Sequence, residues 1–145
     1  MKRIYAREEY CMDCRLCEIH CIVKHAKPKN DTRTYRAARH NMHPCLRVES
    51  SGSVSFAVHC RHCEDAPCIE ACIAGAMTRE PQTGAVICDQ AKCVGCWSCI
   101  MVCSAGAVRV GKTGTAASKC DLCMGEETPA CVLNCPNEAL VYEEN

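Results

Sequence analysis

Residues 93–103 read CVGCWSCIMVC and place four cysteines in the order C-x-x-C-x-x-C-x-x-x-C. Residues 11–21 have the same spacing, residues 60–72 widen the second gap to four residues, and residues 120–135 widen it to seven. Sixteen of the 18 cysteines in the 145-residue chain lie in these four runs: Cys11, Cys14, Cys17, Cys21, Cys60, Cys63, Cys68, Cys72, Cys93, Cys96, Cys99, Cys103, Cys120, Cys123, Cys131 and Cys135. One spacing that recurs four times predicts one kind of binding site that recurs with it.

The spacing is typical of 4Fe–4S ligands, because such a cluster is held by four cysteine thiolates. Three closely spaced cysteines on a tight loop can bind three irons of one cluster. The fourth cysteine of a run lies about one helical turn further on, so it binds the neighbouring cluster of a pair. The four runs therefore predict four 4Fe–4S clusters, with the sixteen cysteines as iron ligands.

Three other uses of cysteine fit the pattern less well. A zinc site uses two C-x-x-C pairs separated by a longer loop, without a third cysteine at equal spacing. A disulfide framework is typical of exported proteins, and no apolar export signal precedes Cys11. A radical enzyme that uses S-adenosylmethionine needs C-x-x-x-C-x-x-C, an order that no cysteine triplet in this chain has.

The composition leaves little material for an ordinary hydrophobic core, because the chain has one Phe, one Trp and four Tyr. Bound clusters are expected to stabilise such a chain in place of a larger core. No apolar run reaches the length of a membrane span, and there is no twin-arginine leader. The reducing cytoplasm is therefore the expected location.

Charge is unevenly distributed although the net charge is zero. Residues 1–50 carry eleven Lys and Arg against six Asp and Glu, and residues 51–145 carry six against eleven. Zero net charge argues against nucleic-acid binding, and the polarity favours docking to other proteins. Complementary ends could also support head-to-tail association of copies of the chain. Residues 22–47 form a basic, histidine-rich insertion that would serve as the docking arm.

The runs are also expected to be structural repeats in an α+β fold. Each of the last three runs is followed by a segment expected to form a short helix that ends in a turn and leads into a strand. The expected strands are Ala107–Val110 and Leu140–Tyr142, with partners at Arg3–Tyr5, Val54–Val58 and Ala85–Ile87. This is the arrangement of a bacterial two-cluster ferredoxin, present twice.

Three stretches carry a resemblance to a known family: SFAVHCRHCEDAPCIEACIAGA, CVGCWSCIMVC and KCDLC followed by TPACVLNCPNEALVYEE. They resemble the four-cluster ferredoxin-like subunits of dimethyl sulfoxide reductase and formate dehydrogenase. The closest likeness is to the soluble iron–sulfur subunits that accompany carbon monoxide dehydrogenase and tungsten-dependent aldehyde oxidoreductase. The resemblance implies two pseudo-symmetric units, with residues 51–111 inserted into an outer unit of residues 1–50 and 112–145.

The resemblance also implies a nested arrangement of ligands, in which the outer runs share two clusters and the inner runs share the other two. The implied sets are Cys11, Cys14, Cys17 and Cys135; Cys21, Cys120, Cys123 and Cys131; Cys60, Cys63, Cys68 and Cys103; and Cys72, Cys93, Cys96 and Cys99.

The function implied is transfer of single low-potential electrons between a catalytic subunit and a downstream acceptor. The catalytic partner would be a tungsten aldehyde oxidoreductase or a carbon monoxide dehydrogenase, and the alternative is a formate dehydrogenase or hydrogenase complex. An NAD(P)-linked flavoprotein or a hydrogenase is a further candidate partner. The chain has no flavin or dinucleotide motif and no incomplete run, so we expect no catalytic residues.

Four residues near the runs leave alternatives open. Cys88 is expected to be a small buried hydrophobe, whereas Cys45 has either a structural role or a role as an extra ligand or redox group. His59 and His62 flank Cys60, and surface packing is the favoured interpretation. The alternative is that these histidines donate hydrogen bonds to sulfur or take part in proton movement.

Overall fold

The structure, a computed structural model, describes residues 1–26, 31–40 and 42–144. These ranges contain five helices and eight strands, together with a single 3₁₀ turn at Glu8–Tyr10. The helices are α1 (Leu16–His25), α2 (Asp31–Ala38), α3 (Pro67–Glu70), α4 (Ser98–Met101) and α5 (Ala130–Leu133). The strands are β1 (Lys2–Ala6), β2 (Arg47–Ser51), β3 (Val54–Val58), β4 (Met77–Arg79), β5 (Val86–Cys88), β6 (Arg109–Val110), β7 (Ala117–Ser118) and β8 (Leu140–Glu144).

The strands form four antiparallel pairs in the described part of the chain: β1 with β8, β2 with β3, β4 with β5 and β6 with β7. The first pair joins the two ends of the chain, with Ile4 opposite Tyr142. The N-terminal ammonium group lies 2.9 Å from a carboxylate oxygen of Glu144 at the end of this pair. The chain is therefore a small mixed α/β ferredoxin-like domain with open sheets, as the α+β prediction requires.

Three of the strand expectations need correction. The strand expected at Ala85–Ile87 lies at Val86–Cys88 and pairs with β4 instead of a strand that follows a later run. The strand expected at Ala107–Val110 is limited to Arg109–Val110, and it pairs with β7 instead of an earlier strand. Val54–Val58 forms as expected but pairs with β2. All three pairings are hairpins between strands adjacent in sequence, which form with less loss of chain entropy than distant pairings.

The short helices also lie elsewhere than expected. α3, α4 and α5 end two residues before the fourth cysteine of their run instead of following it. After that cysteine the chain turns, and the third residue along has a positive φ: 60° at Gly75, 58° at Gly106 and 52° at Glu138. This left-handed residue stops any helical continuation and directs the chain into the next strand.

The largest buried cluster is small and rich in sulfur. Cysteines make up five of its thirteen buried residues, and the apolar remainder includes Ile4, Leu46 and Leu140. The fold consequently depends on what its cysteines bind. None of the helices in the described ranges has the length and apolar character needed to cross a membrane.

Candidate iron–sulfur sites

The loop between the first two cysteines has a left-handed residue at the same position in every run. The residue before the second cysteine has a positive φ: 54° at Asp13, 46° at His62, 68° at Gly95 and 57° at Leu122. A left-handed conformation costs a non-glycine residue about 1–2 kcal/mol. Three different side chains accept this strain, so the loop geometry follows from what the loop encloses and not from the residue type.

Three small cavities lie inside these loops, and four of the sixteen cysteines line each one. Their cavity volumes are about 20, 30 and 10 Å³. The sets are, in the same order, Cys11, Cys14, Cys17 and Cys135; Cys60, Cys63, Cys68 and Cys103; and Cys72, Cys93, Cys96 and Cys99. Each cavity therefore combines three cysteines of one run with the last cysteine of another.

The remaining four cysteines of the runs, Cys21, Cys120, Cys123 and Cys131, are all buried. Burial raises the pKa of Cys131 to about 12, and the nearby charge of Cys123 adds to this increase. Burial also raises the pKa of Cys120, and the nearby charge of Cys131 adds to this increase. A hydrogen bond with Cys45, burial and the charge of Cys120 together raise the pKa of Cys21. These interactions place the four thiols near one another.

Backbone amides donate hydrogen bonds to several of these sulfur atoms. The N–H of Ala76 lies 3.2 Å from Cys72 Sγ, and the N–H of Ala107 lies 3.4 Å from Cys103 Sγ. Further amides donate to Cys60, Cys93 and Cys120 at 3.3–3.5 Å. Amide donors stabilise negative charge on sulfur and are one of the means by which a protein sets cluster potentials. Sulfur-only donor sets with amide support fit 4Fe–4S clusters.

Comparison with known proteins agrees with this chemistry. Residues 52–145 match the family model described as the 4Fe-4S dicluster domain. The chain belongs to this family. The match begins after the first run, so the dicluster model spans the last three runs.

Three relatives of this dicluster protein are similar over nearly its whole length. AegA of Escherichia coli K12 is 39% identical across 94% of this chain, which spans only 21% of AegA. An iron–sulfur protein of Rhodospirillum rubrum is 35% identical, with 94% of this chain and 79% of that protein covered. The electron transport protein HydN of E. coli K12 is 34% identical, with 95% and 85% covered.

A solved structure shares the fold. One chain of the active site complex BamBC of benzoyl coenzyme A reductase superposes with a TM-score of 0.54 at 22% identity. The superposition covers all of this dicluster chain and 78% of the other.

The first run departs from the repeat because α1 continues past Cys21 as far as His25. No turn follows the cysteine, and its sulfur accepts a hydrogen bond from the N–H of Cys45 at 3.2 Å. Ala76 and Ala107 donate the corresponding bonds in their runs, so Cys45 occupies their position in space. This role of Cys45 was not predicted from the sequence, in which its one signal is the strand that begins two residues later.

Cys45 and Cys88 both lie beside candidate ligand cysteines in the dicluster fold. The sulfur atoms of Cys45 and Cys21 lie within 4.8 Å of each other. Cys88 is half-buried in the wall of the Cys72 cavity instead of fully buried as expected. Burial and the nearby Cys93 raise its pKa to about 12, so Cys88 is a neutral thiol at physiological pH.

The expectation that the two histidines pack on the surface is wrong for His62, which is 1% exposed. Its Nδ1 accepts a hydrogen bond from the N–H of Val86 at 3.0 Å, and burial lowers its pKa to about 3. The neutral ring fixes β5 against the first loop of the second run. Burial likewise lowers the pKa of His59, to about 4.

Proposed function

We propose that this chain conducts single low-potential electrons through four 4Fe–4S clusters and catalyses no reaction itself. When bound, such a cluster accepts and releases one electron at a time, with potentials on the order of −400 mV for low-potential ferredoxins. The supporting observation is that three separate cavities are each lined by one of the implied sets of four cysteines. The nested ligand arrangement would use these three sets and the buried fourth set.

The nested arrangement would also bring the clusters close enough for electron transfer. Cys17 and Cys21 lie on adjacent turns of α1 but belong to different proposed sets. Residues four apart on a helix are neighbours with Cβ atoms about 5–6 Å apart. A single turn of helix would therefore separate ligands of neighbouring clusters, and the same spacing recurs at the end of each run.

The proposed outer unit (residues 1–50 and 112–145) and inner unit (residues 51–111) would be joined by two hairpins. β2 lies in the outer unit except for its last residue, and it pairs with β3 of the inner unit. β6 of the inner unit pairs with β7 of the outer unit. Both crossings between the units would then be made within hydrogen-bonded strand pairs, which favours a fixed spacing between inner and outer clusters.

For the catalytic partner we retain a tungsten aldehyde oxidoreductase or a carbon monoxide dehydrogenase, with a formate dehydrogenase or hydrogenase complex as the alternative. An NAD(P)-linked flavoprotein or a hydrogenase would then exchange electrons with the chain in the cytoplasm. The likeness to a chain of the BamBC complex and to HydN supports a role beside a larger oxidoreductase without choosing among these partners.

Metal analysis and redox titration test the function. Protein purified without oxygen is expected to contain about sixteen irons and sixteen acid-labile sulfides per chain. Each of the four clusters is expected to accept one electron. The isolated chain is expected to turn over none of the partner substrates, yet to accept electrons from the reduced partner enzyme. A plateau near eight irons per chain would contradict the cluster count, and substrate turnover by the isolated chain would contradict the non-catalytic role.

A further inference from the structure

Lys119 is a buried lysine whose charge the surrounding protein does not neutralise. The residue is 7% exposed, and its Nζ donates hydrogen bonds to the carbonyl oxygens of Val86 and Cys120, the latter at 3.1 Å. Both acceptors are uncharged. Within residues 1–26, 31–40 and 42–144, no carboxylate lies within 4.0 Å of this ammonium group.

The position of Lys119 links two of the proposed ligand sets. It precedes Cys120 in the chain, and Cys120 belongs to the buried outer set. On its other side, Val86 lines the cavity of Cys60, Cys63, Cys68 and Cys103. Burial raises the pKa of Cys68, and the Lys119 ammonium group opposes that rise, which places its charge close to the inner set.

A continuous line of hydrogen bonds runs from the ammonium group to an inner ligand. Lys119 Nζ donates to the carbonyl of Val86, and the N–H of Val86 donates to His62 Nδ1 at 3.0 Å. The N–H of His62 in turn lies 3.5 Å from Cys60 Sγ. The bonds to the carbonyls of Val86 and Cys120 hold the lysine at the junction.

A buried ammonium group without a counter-ion is costly, and the effective penalty is several kcal/mol per ion. Four thiolates in each adjoining set supply negative charge on both sides of it. We propose that Lys119 is the shared counter-charge of the two clusters that meet at the junction, and that it raises their reduction potentials. Reduction adds one negative charge to a cluster, and a fixed cation beside it favours the reduced form.

This inference rests on the proposed function for the ligand sets, and it goes further by assigning a control of electron flow to a residue that binds no iron. Raised potentials at the junction favour electrons residing on the two clusters that meet there. Because Lys119 is buried, its effect is expected to be nearly independent of salt, whereas the effect of a surface charge is screened.

The test is an EPR-monitored redox titration of the loaded protein and its Lys119→Met variant, with iron counted in each sample. Lys112→Met is the matched control, because it removes the same charge from an exposed side chain in the turn between β6 and β7. We expect two midpoint potentials of Lys119→Met to fall by at least a tenfold change in the reduction equilibrium, about 59 mV for one electron. Lys112→Met is expected to leave all potentials unchanged.

Two further variants decide the case in which Lys119→Met does not retain iron. Lys119→Gln keeps hydrogen-bond donors without the charge, and Lys119→Arg keeps the charge. Lower midpoint potentials of two clusters in Lys119→Gln support the proposal. Loss of iron from both neutral variants, together with full iron loading of Lys119→Arg, also supports it. Unchanged potentials in a fully loaded neutral variant overturn it, and so does loss of iron from all three variants. A wild-type chain with fewer than four clusters would contradict the proposed function independently of these shifts.

Discussion

The nested ligand arrangement makes a prediction that iron counts alone can decide. Cys17 and Cys21 belong to the same run and the same helix, but the proposed sets assign them to different clusters. Cys21 and Cys123 lie in different runs, and the proposed sets assign them to one cluster. Pairs of cysteine-to-serine substitutions therefore give opposite results for nested sets and for runs that each hold their own cluster.

The neighbouring Cys45 must be removed first. Its sulfur lies within 4.8 Å of Cys21 Sγ, so it is close enough to replace Cys21 as a ligand in a single variant. Cys45→Ser provides the background for every variant and is itself expected to retain all clusters, because its backbone N–H still donates to Cys21.

Each lost cluster removes four irons, so loss of Cys21 from this background is expected to lower the content from about sixteen to about twelve irons per chain. Adding Cys123→Ser is expected to leave about twelve, because the same cluster is lost, whereas adding Cys17→Ser is expected to leave about eight. Iron and acid-labile sulfide are measured on protein purified without oxygen, and EPR of the reduced samples counts the remaining clusters. About eight irons for the Cys21 and Cys123 pair, with about twelve for the Cys17 and Cys21 pair, would refute the nested arrangement.

Three further predictions concern stability and docking. Glu138→Gly is expected to stabilise the fold by about 0.5–1 kcal/mol. Glycine removes most of the cost of about 1–2 kcal/mol for a φ of 52°, but it adds some entropy to the unfolded state. Thermal unfolding of the loaded protein measures the change, and an unfolding midpoint that does not rise would contradict the prediction. The hydrogen bond with Asp121 raises the pKa of His25 to about 9. The ion pair is expected to stabilise the fold by on the order of 1 kcal/mol after allowance for partial exposure. This stabilisation is present below about pH 6.5 and is lost as the pH rises through 9. A stability difference between wild type and His25→Gln that is as large at pH 9.5 as at pH 6 would argue against that ion pair. Neutralising three arginines of the basic insertion, Arg33, Arg36 and Arg39, is expected to slow electron transfer from the partner about tenfold at low salt. The salt dependence of the rate is expected to fall as well, and an unchanged rate would exclude the docking arm.

The cysteine pattern and the strands at the chain ends could be predicted because both depend on local sequence. The ligand spacing lies within short runs, and β1 and β8 have the strand composition that the sequence analysis used. The structure extends these expected strands by one or two residues and pairs them in antiparallel register. The first two cysteines of each run flank a loop with a left-handed residue at the same position. The assignment of the sixteen candidate ligands to clusters stays a prediction.

The features that sequence reasoning missed depend on contacts between distant segments. The burial of His62 follows from its bond to Val86, 24 residues away, and no local pattern distinguishes it from an exposed loop histidine. The role of Cys45 depends on a backbone amide, which any residue provides. The burial of Lys119 against the carbonyl oxygen of Val86 likewise arises only when β5 and the last run come together.

The first run shows why an insertion is tolerated at this point in the chain. In the second and third runs, the cysteine and its amide donor are four residues apart, as in Cys72 and Ala76. In the first run they are 24 residues apart, yet the N–H of Cys45 still lies 3.2 Å from Cys21 Sγ. The entropy of closing a loop grows only slowly with its length, by about 0.6 kcal/mol for each doubling. The segment between these two contacts can therefore change in length and charge while the hydrogen bond to the sulfur stays in place, which suits a segment whose proposed role is to dock a partner.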